Sequence, residues 1–353
     1  MTDAVRFLQR TAFANRNSDA LVWIELNNLT KGFSSSTENR AWNNITRTSE
    51  NAFGPRDVDI PTDLLTKDTP PIELDTVPIF EKNIRQALDM VIKERNLDKA
   101  ILQAGLKISN KLIFCGPPGV GKTLAAKWLS NQLMLPFYTL NLATVMSSFL
   151  GKTGNNIQRV FQFVSQDPCI LLLDEFDAIA KKRADDTDVG ELKRLVAVLL
   201  QGFDRFPNSS MLIAATNHQS LLDPAVWRRF DASILFPVPD EACAIEAIRS
   251  YFGQDAKVAE SYFAVLATSM TGLSFSDIKR NISHIRKQAM IDKKRLEECI
   301  VEWLVAQCAG MKMPSRKRLA LLLIEKGYSQ REVSLWTGLS RDTIRKTRKG
   351  GML

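Results

Sequence analysis

Between residues 80 and 237, short apolar runs alternate with stretches long enough to form helices. The runs are Leu112–Cys115, Phe137–Leu140, Ile170–Leu173, Met211–Ala215 and Ser233–Phe236. Strands alternating with helix-length segments predict an α/β fold, a parallel sheet with helices on both faces. Past Pro237-Val-Pro239 the strand signal stops. Four helix-like segments near 241–252, 258–270, 275–291 and 294–309 predict a small all-α unit. Residues 1–20 can form a short amphipathic helix, with Val5, Leu8, Ala12 and Phe13 near one face. From Leu26 to about Pro78 the chain is polar and broken by Gly, Pro, Ser and Asn, which reads as an arm and not a packed domain. The expected organisation is an arm over 1–78, the α/β domain over 79–238, a helical unit over 239–311 and a C-terminal module over 312–353.

Composition removes several classes. The longest strictly apolar runs, Leu195–Leu200 and Leu319–Ile324, fall far short of the roughly 20 residues of a membrane helix. Met1–Arg10 lacks the apolar stretch of a secretory signal. Cys115, Cys169, Cys243, Cys299 and Cys308 are scattered without a C-x-x-C pair, and His218 and His284 are the two histidines. That pattern offers neither a disulfide framework nor a zinc site. A cytoplasmic protein with no membrane association is expected.

One segment carries chemistry on its own. Gly116-Pro117-Pro118-Gly119-Val120-Gly121-Lys122-Thr123 follows the first expected strand and opens a helix from Leu124 to Gln132. Strand, glycine-rich loop and helix in that order are the setting of a phosphate-binding loop. The glycines let backbone N–H groups turn toward phosphate oxygens, assisted by the positive end of the helix. Lys122 would neutralise the β- and γ-phosphates, the Thr123 hydroxyl would ligate Mg²⁺, and Leu124 would complete the nucleotide-binding stretch. Fifty-two residues after Lys122, Ile170–Leu173 leads into Asp174-Glu175. Ligands of open α/β sheets collect at the carboxyl ends of strands, which would bring these acids to the phosphates. Asp174 would hold Mg²⁺ through water, and Glu175 would polarise the attacking water as general base.

With these motifs and the segments below, the chain resembles the AAA+ ATPases, closest to the AAA family proper that includes katanin, spastin and FtsH. The resemblance covers roughly residues 75–310. It implies ATP as the nucleotide, Mg²⁺ as its metal, and a homo-oligomeric ring, a hexamer by preference. Asn217, in Ala214-Ala-Thr-Asn217, matches the family's sensor polar residue; a plain polar turn is the alternative. Leu222-Asp-Pro-Ala-Val-Trp-Arg-Arg-Phe-Asp231 resembles the segment that carries arginine fingers. The resemblance implies that Arg228 and Arg229 reach the γ-phosphate of a neighbouring subunit, either one or both taking part. Helix C-terminal placement alone would also explain two arginines there. Gly272-Leu-Ser-Phe-Ser-Asp-Ile278 matches the family's lid pattern, with Phe275 and Ser276 in place of its usual Gly and Ala. Lys279 and Arg280 fall out of register for a second sensor. Phe149, Leu150 and Gly151, in Ser148-Phe-Leu-Gly151, match the triplet that lines the ring's pore and grips an extended protein substrate; the alternative packs Phe149 against its own domain. Glu191-Leu-Lys-Arg194, opening a later helix, is a candidate for a second intersubunit or pore contact.

Charge adds a separate signal. From Lys312 onward eleven basic residues face three acidic ones, a surplus of eight that equals the +8 of the whole chain. Such asymmetry suggests an acidic partner, DNA by default. Ser329-Gln-Arg-Glu332 is a capping box, Thr337-Gly-Leu339 a turn, and Ser340 a cap for a helix from Arg341 to Lys349. That arrangement is similar to a helix-turn-helix. Arg341, Thr343 and Arg345 would lie nearest the bases, and Lys346, Arg348 and Lys349 would meet phosphates. A basic bundle that binds another partner fits the same residues. The function expected from all of this is protein remodelling or threading driven by ATP. A DNA-directed ATPase and a nucleotide-gated DNA-binding regulator are the alternatives.

Overall fold

The apolar runs become strands in a computed structural model that describes residues 64–74, 76, 78–142, 153–177, 189–219, 222 and 224–350. Strands β1 (Leu65–Asp68), β2 (Lys111–Cys115), β3 (Phe137–Asn141), β4 (Ile170–Asp174), β5 (Met211–Thr216) and β6 (Ala232–Leu235) form one sheet among the described residues. Its order is β1-β3-β4-β5-β2-β6, and every pair is parallel except β1 with β3. Helices α1 (Lys82–Asn96), α2 (Asp98–Gln103), α3 (Lys122–Leu133), α4 (Thr153–Val164), α5 (Val189–Asp204) and α6 (Pro224–Trp227) belong to the same part of the chain.

Both faces of this sheet are covered, so its inner strands read as continuous apolar runs and not as alternation. Ile113, Cys115, Leu171, Leu173, Leu212 and Ala214 pack with Ile157, Val160 and Phe161 of α4 and Leu195, Leu199 and Phe203 of α5. The intervening residues Leu112, Phe114, Ile170, Leu172, Met211 and Ile213 face Ile84 and Leu88 of α1 and Ala125, Trp128 and Leu129 of α3. All six residues of central β5 are buried.

β1 is a correction to the expected arm over 26–78, which ends in a strand. Leu65-Thr-Lys-Asp68 has no apolar run because an edge strand leaves its middle side chains exposed. Backbone pairing puts Leu65 opposite Leu140 and Asp68 opposite Phe137. Leu64 is buried in the core, and Lys127 of α3 pairs with Asp68 at 3.0 Å. The helix expected over 1–20 and the loop around Phe149, Leu150 and Gly151 lie outside the described residues.

Past Pro239 the chain is helical: α7 (Glu241–Phe252), α8 (Ala256–Ala259), α9 (Phe263–Ser269), α10 (Phe275–Ile291), α11 (Leu296–Gln307), α12 (Met313–Glu325), α13 (Gln330–Thr337) and α14 (Arg341–Gly350). Side chains cap the starts of four of them, α14 through Ser340 Oγ, which accepts from Thr343 N at 3.1 Å. Asp240 accepts from Cys243 N at α7, and Ser274–Asp277 and Ser329–Glu332 form capping boxes at α10 and α13. One apolar cluster runs from Ile248, Phe252, Leu266 and Ile282 into Leu319, Leu323, Val333, Leu339 and Ile344. The last three helices therefore share a core with the helical unit. Arg318 of α12 reinforces this, bonding Glu241 at 2.6 Å and Thr268 at 2.8 Å.

Candidate nucleotide site

The phosphate-binding loop turns at the carboxyl end of β2. Gly116 N donates to Thr216 O at 3.2 Å, and a Cβ on Gly116 would sit 2.0 Å from the Phe236 carbonyl oxygen. Only glycine fits this close approach. Pro117 and Pro118 are exposed, Val120 is buried in the sheet–α3 core, and Gly121 is the N-cap of α3 at φ +95°. No side chain caps α3, in contrast to α7, α10 and α13. Its first N–H groups, on Lys122, Thr123 and Leu124, are thereby presented to a ligand, and the helix dipole favours an anion there.

Lys122 is 8% exposed, and its ammonium donates to Gly116 O at 2.7 Å, Pro117 O at 2.8 Å and Asn217 Oδ1 at 2.9 Å. Three acceptors around one nitrogen demand the protonated form. Burial pulls its pKa down, while the Asp174 and Asp177 carboxylates push it up. Thr123 Oγ1 lies 3.3 Å from Asp174 Oδ2. A hydroxyl and a carboxylate converging beside a phosphate cradle are hard oxygen ligands. They fit Mg²⁺, which takes one or two protein oxygens plus phosphate and water. Glu175 is exposed and sits at φ +53°, with its N–H bonded to Asp174 Oδ1 at 2.9 Å. The chain turns back sharply at the strand end and separates the two acids.

The structure thus brings Lys122, Thr123, Asp174 and Asn217 together, with Glu175 beside them. It also adds Asp177, which the sequence reading overlooked. Asp177 is 2% exposed and accepts from Asn217 N at 3.1 Å and Thr216 Oγ1 at 3.5 Å, so it orients the end of β5. An acid three residues after Asp174 was the available signal. Its burial could not be read from Asp174-Glu-Phe-Asp177 alone.

The helical unit touches the loop directly. Ser276 N donates to Gly119 O at 3.1 Å, beside the Ser274 cap of α10. Arg280 is held by Asp277 at 2.7 Å. Arg228 and Arg229 follow α6 and differ in surroundings. Arg228 is exposed and lines a cleft of about 810 Å³ with Asn217, His218 and Trp227. Arg229 bonds Asp204 Oδ1 at 3.3 Å and Ala225 O at 3.1 Å. Far along the chain, Arg341, Arg345, Lys346 and Arg348 are exposed on α14, while Thr343 is half-buried and bonded to the Ser340 cap. The side chains of Glu191 to Arg194 and Lys349 lie outside the described residues.

Comparison with known proteins agrees with this geometry. Residues 112–238, from β2 to the end of the sheet domain, match the ATPase family associated with various cellular activities (AAA). The chain carries an AAA ATPase domain. It is 38% identical over 213 residues to an uncharacterized AAA family ATPase, y4kL, of Sinorhizobium fredii, covering 60% of this chain and 64% of that protein. It is 31% identical over 220 residues to a proteasome-activating nucleotidase of Methanopyrus kandleri, covering 60% and 50%. With the ATP-dependent zinc metalloprotease FtsH of Caulobacter vibrioides it shares 30% over 199 residues, covering 54% and 32%. The chain thus spans less than two thirds of each of these relatives. Among the described residues, no helix is long and apolar enough to cross a membrane.

Proposed function

We propose that this AAA protein assembles into a homo-oligomeric ring, a hexamer by preference, and uses ATP hydrolysis to thread or remodel a protein substrate. The convergence of Lys122, Thr123, Asp174 and Asn217 at the carboxyl ends of β2, β4 and β5 carries the reading. ATP phosphates would take over the contacts that the Lys122 ammonium now makes with backbone oxygens. Thr123 and Asp174 would hold Mg²⁺, which supplies charge neutralisation for the phosphates when bound. Asn217, steadied by Asp177, would orient a water toward the γ-phosphorus. Glu175 would take that water's proton as the new P–O bond forms and the bond to ADP breaks. A neighbour's arginine would stabilise the charge that develops.

Relatives named proteasome-activating nucleotidase, Peroxisomal ATPase PEX6 and FtsH support a protein substrate, as does the sequence match at Phe149, Leu150 and Gly151. Buried thiols at all five cysteines suit a reducing cytoplasm. The test measures ATPase rate against protein concentration, alone and with an unfolded polypeptide. Stimulation by polypeptide that disappears in Phe149→Ala supports threading. A rate linear in concentration and indifferent to polypeptide refutes it.

A second reading, a DNA-directed ATPase, is favoured by one observation: α14 presents Arg341, Arg345, Lys346 and Arg348 to solvent behind a capped α13. Because α12–α14 share the lid's core, Arg345→Glu with Arg348→Glu is a cleaner test than deletion. Stimulation by duplex DNA, lost in that variant and at raised salt, would put this reading first.

A further inference from the structure

The cations from Lys312 onward differ in what they touch. Arg316, Arg318 and Lys326, on α12 and just past it, are turned back on the protein. Arg316 donates to Met311 O at 3.0 Å and Ala309 O at 2.9 Å, and Arg318 bonds Glu241 and Thr268. The Lys326 ammonium lies 4.8 Å from the centre of the Tyr262 ring. Lys312 and Lys317 stay exposed at the start of α12. On α13 and α14, Arg331, Arg341, Lys346 and Arg348 are exposed and make no hydrogen bond or ion pair with the described residues. Arg345 is exposed too, steadied by Gln330 Oε1 at 3.3 Å and Asp342 at 3.7 Å. The turn between these two helices is fixed. Gly338 takes left-handed backbone, Ser334 Oγ donates to Leu339 O at 2.7 Å, and Ser340 caps α14. Within 341–348 only Ile344 is buried. Steps of about 100° per residue place Asp342 and Lys346 opposite Ile344, with Arg341 and Arg345 on the flank beside Gln330 of α13. Thr343 is half-buried on the other flank, its hydroxyl 2.9 Å from Ser340 Oγ.

The exposed positions of α14 hold no apolar side chain, whereas a protein partner or a lipid surface takes up an apolar face. A rigid, convex, cationic helix suits a polyanion with a groove as wide as itself. B-form DNA offers a major groove of about 12 Å to a helix about 10–12 Å across, and that of A-form RNA is too narrow. Resting on the second reading above, we propose that this face of α14 seats in the major groove of duplex DNA. Arg341, Arg345 and Lys346 point to the bases, and Arg331 and Arg348 meet flanking phosphates. Thr343 leaves the base-reading set, being spent on the cap, and Arg331 joins the interface. Because Leu319, Leu323, Val333 and Ile344 share the lid's core, the DNA is held by the lid itself and not by a tethered module.

The experiment titrates the full chain into short labelled duplexes of random sequence, DNA or RNA, at several salt concentrations, and sequences the DNA retained. The parent is expected to bind DNA more tightly than RNA and to enrich a preferred sequence. Arg331→Ala should weaken every sequence alike and reduce the slope of log affinity against log salt by about 1. Arg341→Ala and Lys346→Ala should each cost about five- to hundredfold on the enriched sequence and relax its preference at particular positions. Lys287→Ala, which removes an equal charge from α10, should bind as the parent does. All four side chains are exposed, so the fold is retained. Arg341→Ala and Lys346→Ala matching Lys287→Ala, with the parent still binding DNA, would overturn this face and leave the DNA reading standing. RNA bound as tightly as DNA would overturn the groove assignment. A parent that binds neither duplex at low salt removes the DNA reading and the proposal with it.

Discussion

Gly119 is where the helical unit meets the phosphate loop, and Gly119→Ala probes that contact. The residue lies at φ +76°, and its Cβ would fall 2.7 Å from Ser274 Oγ, 2.8 Å from Ser276 Cβ and 2.9 Å from Ser276 Oγ. Restoring van der Waals separation requires the start of α10 to withdraw by about 0.6 Å or more. That retreat carries the Ser276–Gly119 hydrogen bond, now 3.1 Å, out of range. A lost hydrogen bond costs about 1 kcal/mol, and a non-glycine residue in left-handed backbone about 1–2 kcal/mol. Gly119→Ala should therefore destabilise the protein by about 2–3 kcal/mol in denaturant unfolding without nucleotide. Gly121→Ala is the control, with φ +95° but no atom within 4 Å of the added Cβ, so it carries backbone strain alone. Amide hydrogen exchange separates the two. Ser276 N–H should exchange about fivefold faster in Gly119→Ala and at the parent rate in Gly121→Ala. Equal Ser276 exchange in both variants would show that the contact does not hold the lid.

The other tests reach different parts of the molecule. Asp177→Ala removes the carboxylate that accepts from Asn217 N and should lower kcat about tenfold or more with ATP affinity little changed; an unaltered kcat would deny Asp177 its positioning role. Gly202→Ala places a Cβ 2.4–2.8 Å from the Phe161 ring and should cost about 1–3 kcal/mol of stability by denaturant titration, despite alanine's better helix propensity. The Cys243 thiol is pushed up from the ordinary 9.0 to about 12, first by burial, then by the Asp240 side chain and the Asp240, Glu81 and Glu246 charges. Its folded value lies above its unfolded one, so its stabilising contribution is complete below about 9 and is lost as pH climbs toward 12. Melting temperature should fall over that window, and less steeply in Cys243→Ala.

Local sequence determined a good deal of this protein. The four buried strands β2 to β5 were legible because a sheet covered on both faces needs unbroken apolar runs, and Ile170–Leu173 or Met211–Ala215 can serve little else. The phosphate loop was legible because its glycines answer local backbone demands: the left-handed turns at Gly119 and Gly121. The Ser329–Glu332 capping box was legible because its partners lie three residues apart. Tertiary structure decided what depends on distant partners. β1 is stabilised by pairing with β3, about 70 residues away, and its own polar side chains do not announce it. Asp177 looks like a solvated acid until β5 brings Thr216 and Asn217 over it. The sequence treats Arg228 and Arg229 as equals, and only the return of α5 with Asp204 separates them. The basic C-terminal segment reads as a separate module, because charge is visible in sequence; the apolar core that joins Leu319, Val333 and Ile344 to the lid appears only when the helices are packed.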